Sequence, residues 1–156
     1  GTGASRGGSM PKHRGVRVAR SELELLNRLP GTREELLAVA AAMNVSPDEH
    51  VFLSEEATET QVGQLNRSGR LGSAEVLSFA THGLLAGELH GLTQPALVLT
   101  PPSFPTDEDD GLLSLEDVLH LNLARTNWVI LSACNTAGGE YRGDNLTGLA
   151  RAFFFA

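Results

Sequence analysis

Four helix-start signatures alternate with four short apolar runs, and this alternation constrains the fold more than any other feature of the chain. Thr32 is followed three residues on by Glu35, with the turn residues Pro30 and Gly31 before it. Such a pair predicts a capped helix start, because each side chain can satisfy the other's free backbone N–H. The helix predicted over 33–43 places Leu36, Leu37, Ala40 and Met43 on one face. Ser46-Pro47-Asp48-Glu49 predicts a short helical turn with Pro at its first position. Thr58 with Gln61 opens a helix to about Ser68, and Ser114 with Asp117 opens one from Leu115 to about Leu121. The apolar runs at 51–53, 75–81, 96–100 and 127–133 have strand character. Alternating strands and helices predict an α/β domain with a mainly parallel sheet flanked by helices in three layers.

Open sheets of this kind carry their chemistry beyond the carboxyl ends of the strands. His82 directly follows the run 75–81, and Cys134 directly follows the run 127–133. A parallel pairing of those runs would bring the two together although they are 52 positions apart in sequence. A neighbouring imidazole favours the thiolate that acts as nucleophile. An attacked carbonyl also needs donors for its developing oxyanion. The backbone N–H groups of Gly83 and of Cys134 itself are the candidates. Taken singly, a Cys ending an apolar strand reads as a buried structural residue, and a His beside Gly as a turn residue. The pair is more specific than either half.

A His about 50 residues upstream of an Ala-Cys strand end is the caspase arrangement, although Ser132 stands where the local caspase motif has Gln. Ser78-Phe79-Ala80-Thr81-His82-Gly83 resembles the "FATHG" signature of CHAT domains, caspase-like domains often found with tetratricopeptide repeats. Val129-Ile130-Leu131-Ser132-Ala133-Cys134-Asn135-Thr136 resembles their "LSACNT" signature, and Gly148-Leu149-Ala150-Arg151-Ala152-Phe153 their "GLARAF" helix. Weaker similarity covers 29–35, 56–59, 95–100 and 110–113, in matching order from about residue 19 onward. The resemblance implies a caspase-like fold related to caspases, metacaspases, gingipains and separase. It implies a His82–Cys134 dyad with Gly83 as an oxyanion donor. Residues 1–18 are expected to be a flexible leader or linker and 19–156 a partial CHAT domain. The family pattern places further strands after the final helix, so the chain is expected to be a fragment or a degenerate copy, and a poor peptidase by itself. Relatives that cut after basic residues carry an acid two positions before the nucleophile. Ser132 holds that position here, so the resemblance implies no basic preference.

Composition narrows the function classes. The formal net charge is −7, opposite to what a phosphate-binding surface needs. The longest apolar run, 36–43, is eight residues, against roughly 20 for a membrane span. No secretory leader is recognisable at the start. A single cysteine excludes an intrachain disulfide and fits a cytoplasmic setting. Gly138, Gly139 and Gly143 lack the Gly-Lys-Ser/Thr of a phosphate loop. Cys134, His82 and His90 have no zinc-site spacing. No cofactor or metal is therefore expected. Asp107-Glu108-Asp109-Asp110 reads as a solvated loop, because the alternating spacing of a calcium loop is missing. Asp144 is either a helix cap or a substrate-facing carboxylate. The expected activity is that of a cysteine endopeptidase acting on protein substrates. The alternatives are a non-catalytic interaction module on the same scaffold, or an acyltransferase or amidase using the same dyad.

Overall fold

A computed structural model describes residues 18–132 and 146–156. The helices are α1 (Arg20–Glu24), α2 (Thr32–Ala42), α3 (Pro47–His50), α4 (Glu59–Arg67), α5 (Arg70–Ser73), α6 (Leu115–Leu119) and α7 (Leu146–Phe155). The strands are β1 (Val76–Ala80), β2 (Gly83–Leu84), β3 (Ala96–Val98), β4 (Leu112–Ser114) and β5 (Trp128–Ser132). A 3-10 turn spans Ser54–Glu56.

The expected α/β architecture is present, with a parallel sheet of β1 and β5 and an antiparallel sheet in the order β2–β3–β4. β1 and β5 pair in register from Val76 with Trp128 to Ala80 with Ser132. Paired residues of such strands share a face, and successive residues alternate. Leu77, Phe79, Val129 and Leu131 therefore point to one side. There they meet a core of Leu97, Leu113, Val118, Leu121, Leu149 and Phe153. α7 contributes Leu149, Ala152 and Phe153, one helical stripe, and the Phe153 ring sits 5.6 Å from that of Phe79. Ser78, Ala80 and Ser132 point to the opposite side, toward α2. A second core of Leu23, Leu84, Leu92, Ala96 and Leu112 fastens α1 to the antiparallel sheet.

Several expectations change. The run at 96–100 forms a strand, but an antiparallel one. Residues 85–95 between β2 and β3 are too short a connection for a parallel crossover, which takes a dozen or more residues and usually a helix. Among the described residues the run at 51–53 pairs with no strand. Val51 and Leu53 are extended, but the Val51 N–H is taken by the Pro47 carbonyl and Leu53 is the N-cap of the 3-10 turn. At α2 the N-cap is Gly31, at φ 87°, and Thr32 is already helical, its hydroxyl donating to the Leu29 carbonyl. The box at Ser114 and Asp117 forms fully, and Thr58 accepts from the Gln61 N–H. Both helices stop slightly early, at Leu119 and Arg67.

The acidic segment is not a solvated loop throughout. Asp107 and Glu108 are exposed, but Asp109 and Asp110 are each 6% exposed. Asp109 accepts from the backbone and hydroxyl of Thr60, at 3.1 and 2.6 Å. A carboxylate beside the first turn of α4 meets unpaired N–H groups there, which is the gain that offsets its burial. Gly111 turns the chain into β4 at φ +85°, and a Cβ there would lie 2.8 Å from Pro101 Cα. Only glycine fits such a position without strain. Among the described residues, the outer edge of β5 is unpaired, and Trp128, Phe154 and Phe155 are exposed.

Candidate active site

His82 lies where the parallel sheet ends. Thr81 and His82 bridge β1 to β2, so the chain leaves the parallel sheet and enters the antiparallel one at His82. Three contacts fix this corner. The Val98 N–H donates to the His82 carbonyl at 2.9 Å. The Thr81 hydroxyl donates to the Val98 carbonyl. The His82 ring is 8% exposed, with Nε2 2.6 Å from the Asn27 carbonyl in the segment between α1 and α2.

That last contact defines the ring's chemistry. A carbonyl oxygen only accepts, so Nε2 carries the proton. In the neutral ring Nδ1 is then the nitrogen with a lone pair, and the partner of one nitrogen decides the role of the other. Sequence reasoning missed Asn27. Its contribution is a backbone carbonyl, which every residue type has, so no motif could reveal it.

Gly83 was expected in a turn and instead begins β2. The Val98-to-His82 bond makes 82 and 98 a hydrogen-bonded pair, and Gly83 opposite Leu97 the non-bonded pair next to it. The alternation of an antiparallel ladder thus directs the Gly83 N–H away from β3, to the outer edge of β2.

A cavity of about 330 Å³ opens beside His82, lined by Asn27, Thr32, Leu36, Ser78 and Ala80 among others. Ser78 Oγ is buried there with no hydrogen-bond partner. A larger cavity of about 510 Å³ lies between α2, α4 and β1 and is mostly apolar, with Val39, Met43, Phe52 and Leu65 in its wall. It does not include His82. Beyond the end of β5, the Ser132 hydroxyl donates to Glu35 Oε2 of α2 at 3.0 Å. No sequence signal marked Glu35 as belonging to this site. Cys134 and Asp144 lie outside the described residues. His90 is an exposed-side residue whose backbone N–H donates to Glu22. No cluster of three or more His, Cys, Asp or Glu side chains able to hold a metal occurs among the described residues. No helix of the described residues is long and apolar enough to cross a membrane.

A parallel strand pair backed by helices, with a buried histidine beyond one strand, defines a caspase-like α/β fold of which the described residues form part. The CHAT domain family model matches residues 9–156, and the chain belongs to that family. No curated protein and no solved structure matches the chain.

Proposed function

We propose that this chain carries the active site of a cysteine endopeptidase, with Cys134 as nucleophile and His82 as base. The observation that carries this reading is the state of His82, buried beyond β1 with Nε2–H committed to the Asn27 carbonyl. Its other nitrogen is the one that can accept a proton, as a general base must. The register adds support. Ala80 faces Ser132, and each is followed two residues later by a member of the dyad.

Nδ1 takes the thiol proton, and the imidazolium so formed keeps its Nε2–H bond to the Asn27 carbonyl. The Cys134 thiolate attacks the peptide carbonyl carbon. The Gly83 and Cys134 N–H groups stabilise the oxyanion, consistent with a Gly83 N–H that the ladder to β3 does not use. His82 then protonates the leaving amine, and water hydrolyses the thioester with His82 as base.

The test is labelling by a peptidyl electrophile, read by intact mass and peptide mapping. Modification confined to Cys134, and slowed at least ~100-fold in His82→Ala, is expected. Slow labelling that His82→Ala does not change would overturn the reading and favour the non-catalytic interaction module.

A further inference from the structure

The cavity beside His82 differs in charge from its larger neighbour. Its volume of about 330 Å³ is at the small end of ligand-sized cavities. Leu26, Leu29, Leu36, Phe52 and Val98 make its walls largely apolar. Apart from His82, the ionisable side chain that lines it is Arg28, and no Asp or Glu among the described residues does so. The larger cavity has Arg70 and His50 in its lining, but also Glu56 and Glu75. The Arg28 side chain is exposed at the rim and has no hydrogen-bond or ion-pair partner among the described residues. Inside, Thr32, Thr81 and Thr100 give their hydroxyls to the Leu29, Val98 and Ser54 carbonyls. The Ser78 hydroxyl has no such acceptor, although its oxygen is buried. Glu35, next to Leu36 in α2, accepts from Ser132 and does not line the cavity.

We propose that this cavity binds a small free carboxylic acid with an apolar body and a second hydrogen-bond acceptor, the chemistry of an N-acylated apolar amino acid. The carboxylate lies against the Arg28 guanidinium, whose planar fork of N–H donors matches two carboxylate oxygens. The apolar body fills the space between Leu26, Leu29 and Leu36, where it leaves water. The acyl carbonyl accepts from the Ser78 hydroxyl, which is otherwise buried and unpaired at a cost. Charge selects this cavity over the larger one, where Glu56 and Glu75 oppose an anion. Its small volume suits a single residue-sized acid better than a chain. The site consists of described residues alone, and it stands whether or not the chain cleaves peptides.

The test is a methyl NMR titration of the full chain with N-acetylleucine. The Leu26 and Leu29 signals should shift saturably, while those of Val39 and Leu65, which line only the larger cavity, stay in place. N-acetylleucinamide lacks the charge and should bind about 3- to 5-fold more weakly, the scale of an exposed ion pair. Arg28→Gln should weaken N-acetylleucine by the same factor and remove the difference between acid and amide. Arg125→Gln, the same charge change at an exposed residue outside the cavity, should keep the wild-type affinity. Ser78→Ala should weaken N-acetylleucine about 3-fold and leave 4-methylpentanoate, which has no second acceptor, unchanged. No saturable shift, shifts at Val39 and Leu65 instead, or equal affinity for acid and amide overturns the proposal. A Ser78→Ala variant that binds both acids like the wild type refutes the second contact. Tighter binding of an N-acetylated tripeptide ending in leucine refutes a free acid in favour of a chain end.

Discussion

Glu59 offers the most quantitative check on how this scaffold is held. It is the first residue of α4, only 6% exposed, and its Oε2 accepts the backbone N–H groups of Asp110, Gly111 and Leu112 at 2.7, 2.9 and 3.2 Å. Those three residues lead into β4, and β4 pairs through β3 with β2, next to His82. Hydrogen bonds to a charged group contribute about 1.5–3 kcal/mol each, and a buried donor left unpaired costs about 1–3 kcal/mol. Glu59→Ala takes this acceptor from the Asp110 and Gly111 N–H groups, while the Leu112 N–H keeps Asp110 Oδ1 at 3.1 Å. It also removes the cost of burying the carboxylate, and water can re-enter the gap, so the sum is below two full penalties. A net loss of about 2–4 kcal/mol is expected. For a chain of this size about 2–4 °C accompanies each kcal/mol, so the melting temperature should fall by roughly 10 °C. Glu59→Gln retains one amide oxygen, able to accept two bonds, and should lose about 1–3 kcal/mol. Urea titration and thermal melts of the two variants, with exposed Glu55→Ala as control, provide the assay. Glu55→Ala should stay within about 0.5 kcal/mol of the parent. A Glu59→Ala melting temperature within ~2 °C of the parent would refute the view that this carboxylate organises the entry to β4.

Two further outcomes follow from the same structure. Cys134→Ser should abolish peptide turnover while the far-UV spectrum and melting temperature stay near the parent, since a hydroxyl matches a thiol in shape but not in nucleophilicity at neutral pH; retained turnover in a sensitive fluorogenic assay would remove Cys134 from the mechanism. Gly111→Ala should destabilise by at least ~2 kcal/mol in urea unfolding, because alanine resists the positive φ and its Cβ would collide with Pro101; a neutral result would show that the turn into β4 is pliable.

What the sequence determined by itself was local or carried by motif. β1 and β5 were legible because a short apolar run next to a histidine or a cysteine needs no distant partner to be noticed. The starts of α4 and α6 were legible because Thr58 and Ser114 bond N–H groups three residues away, a contact the chain makes with itself. The CHAT motifs pointed to His82, and the structure shows it buried beyond β1. Tertiary structure alone decided the rest. The antiparallel course of β3 follows from the short connection back from β2. The tautomer of His82 follows from a carbonyl 55 positions away, which no side chain announces. Glu35 meets Ser132 because α2 packs against the parallel sheet, and Glu59 meets residues 110–112 because α4 begins beside β4. The reason is the same in each case: a hydrogen bond between residues far apart in the chain leaves no periodic mark on either segment, and it exists only once the intervening elements have packed.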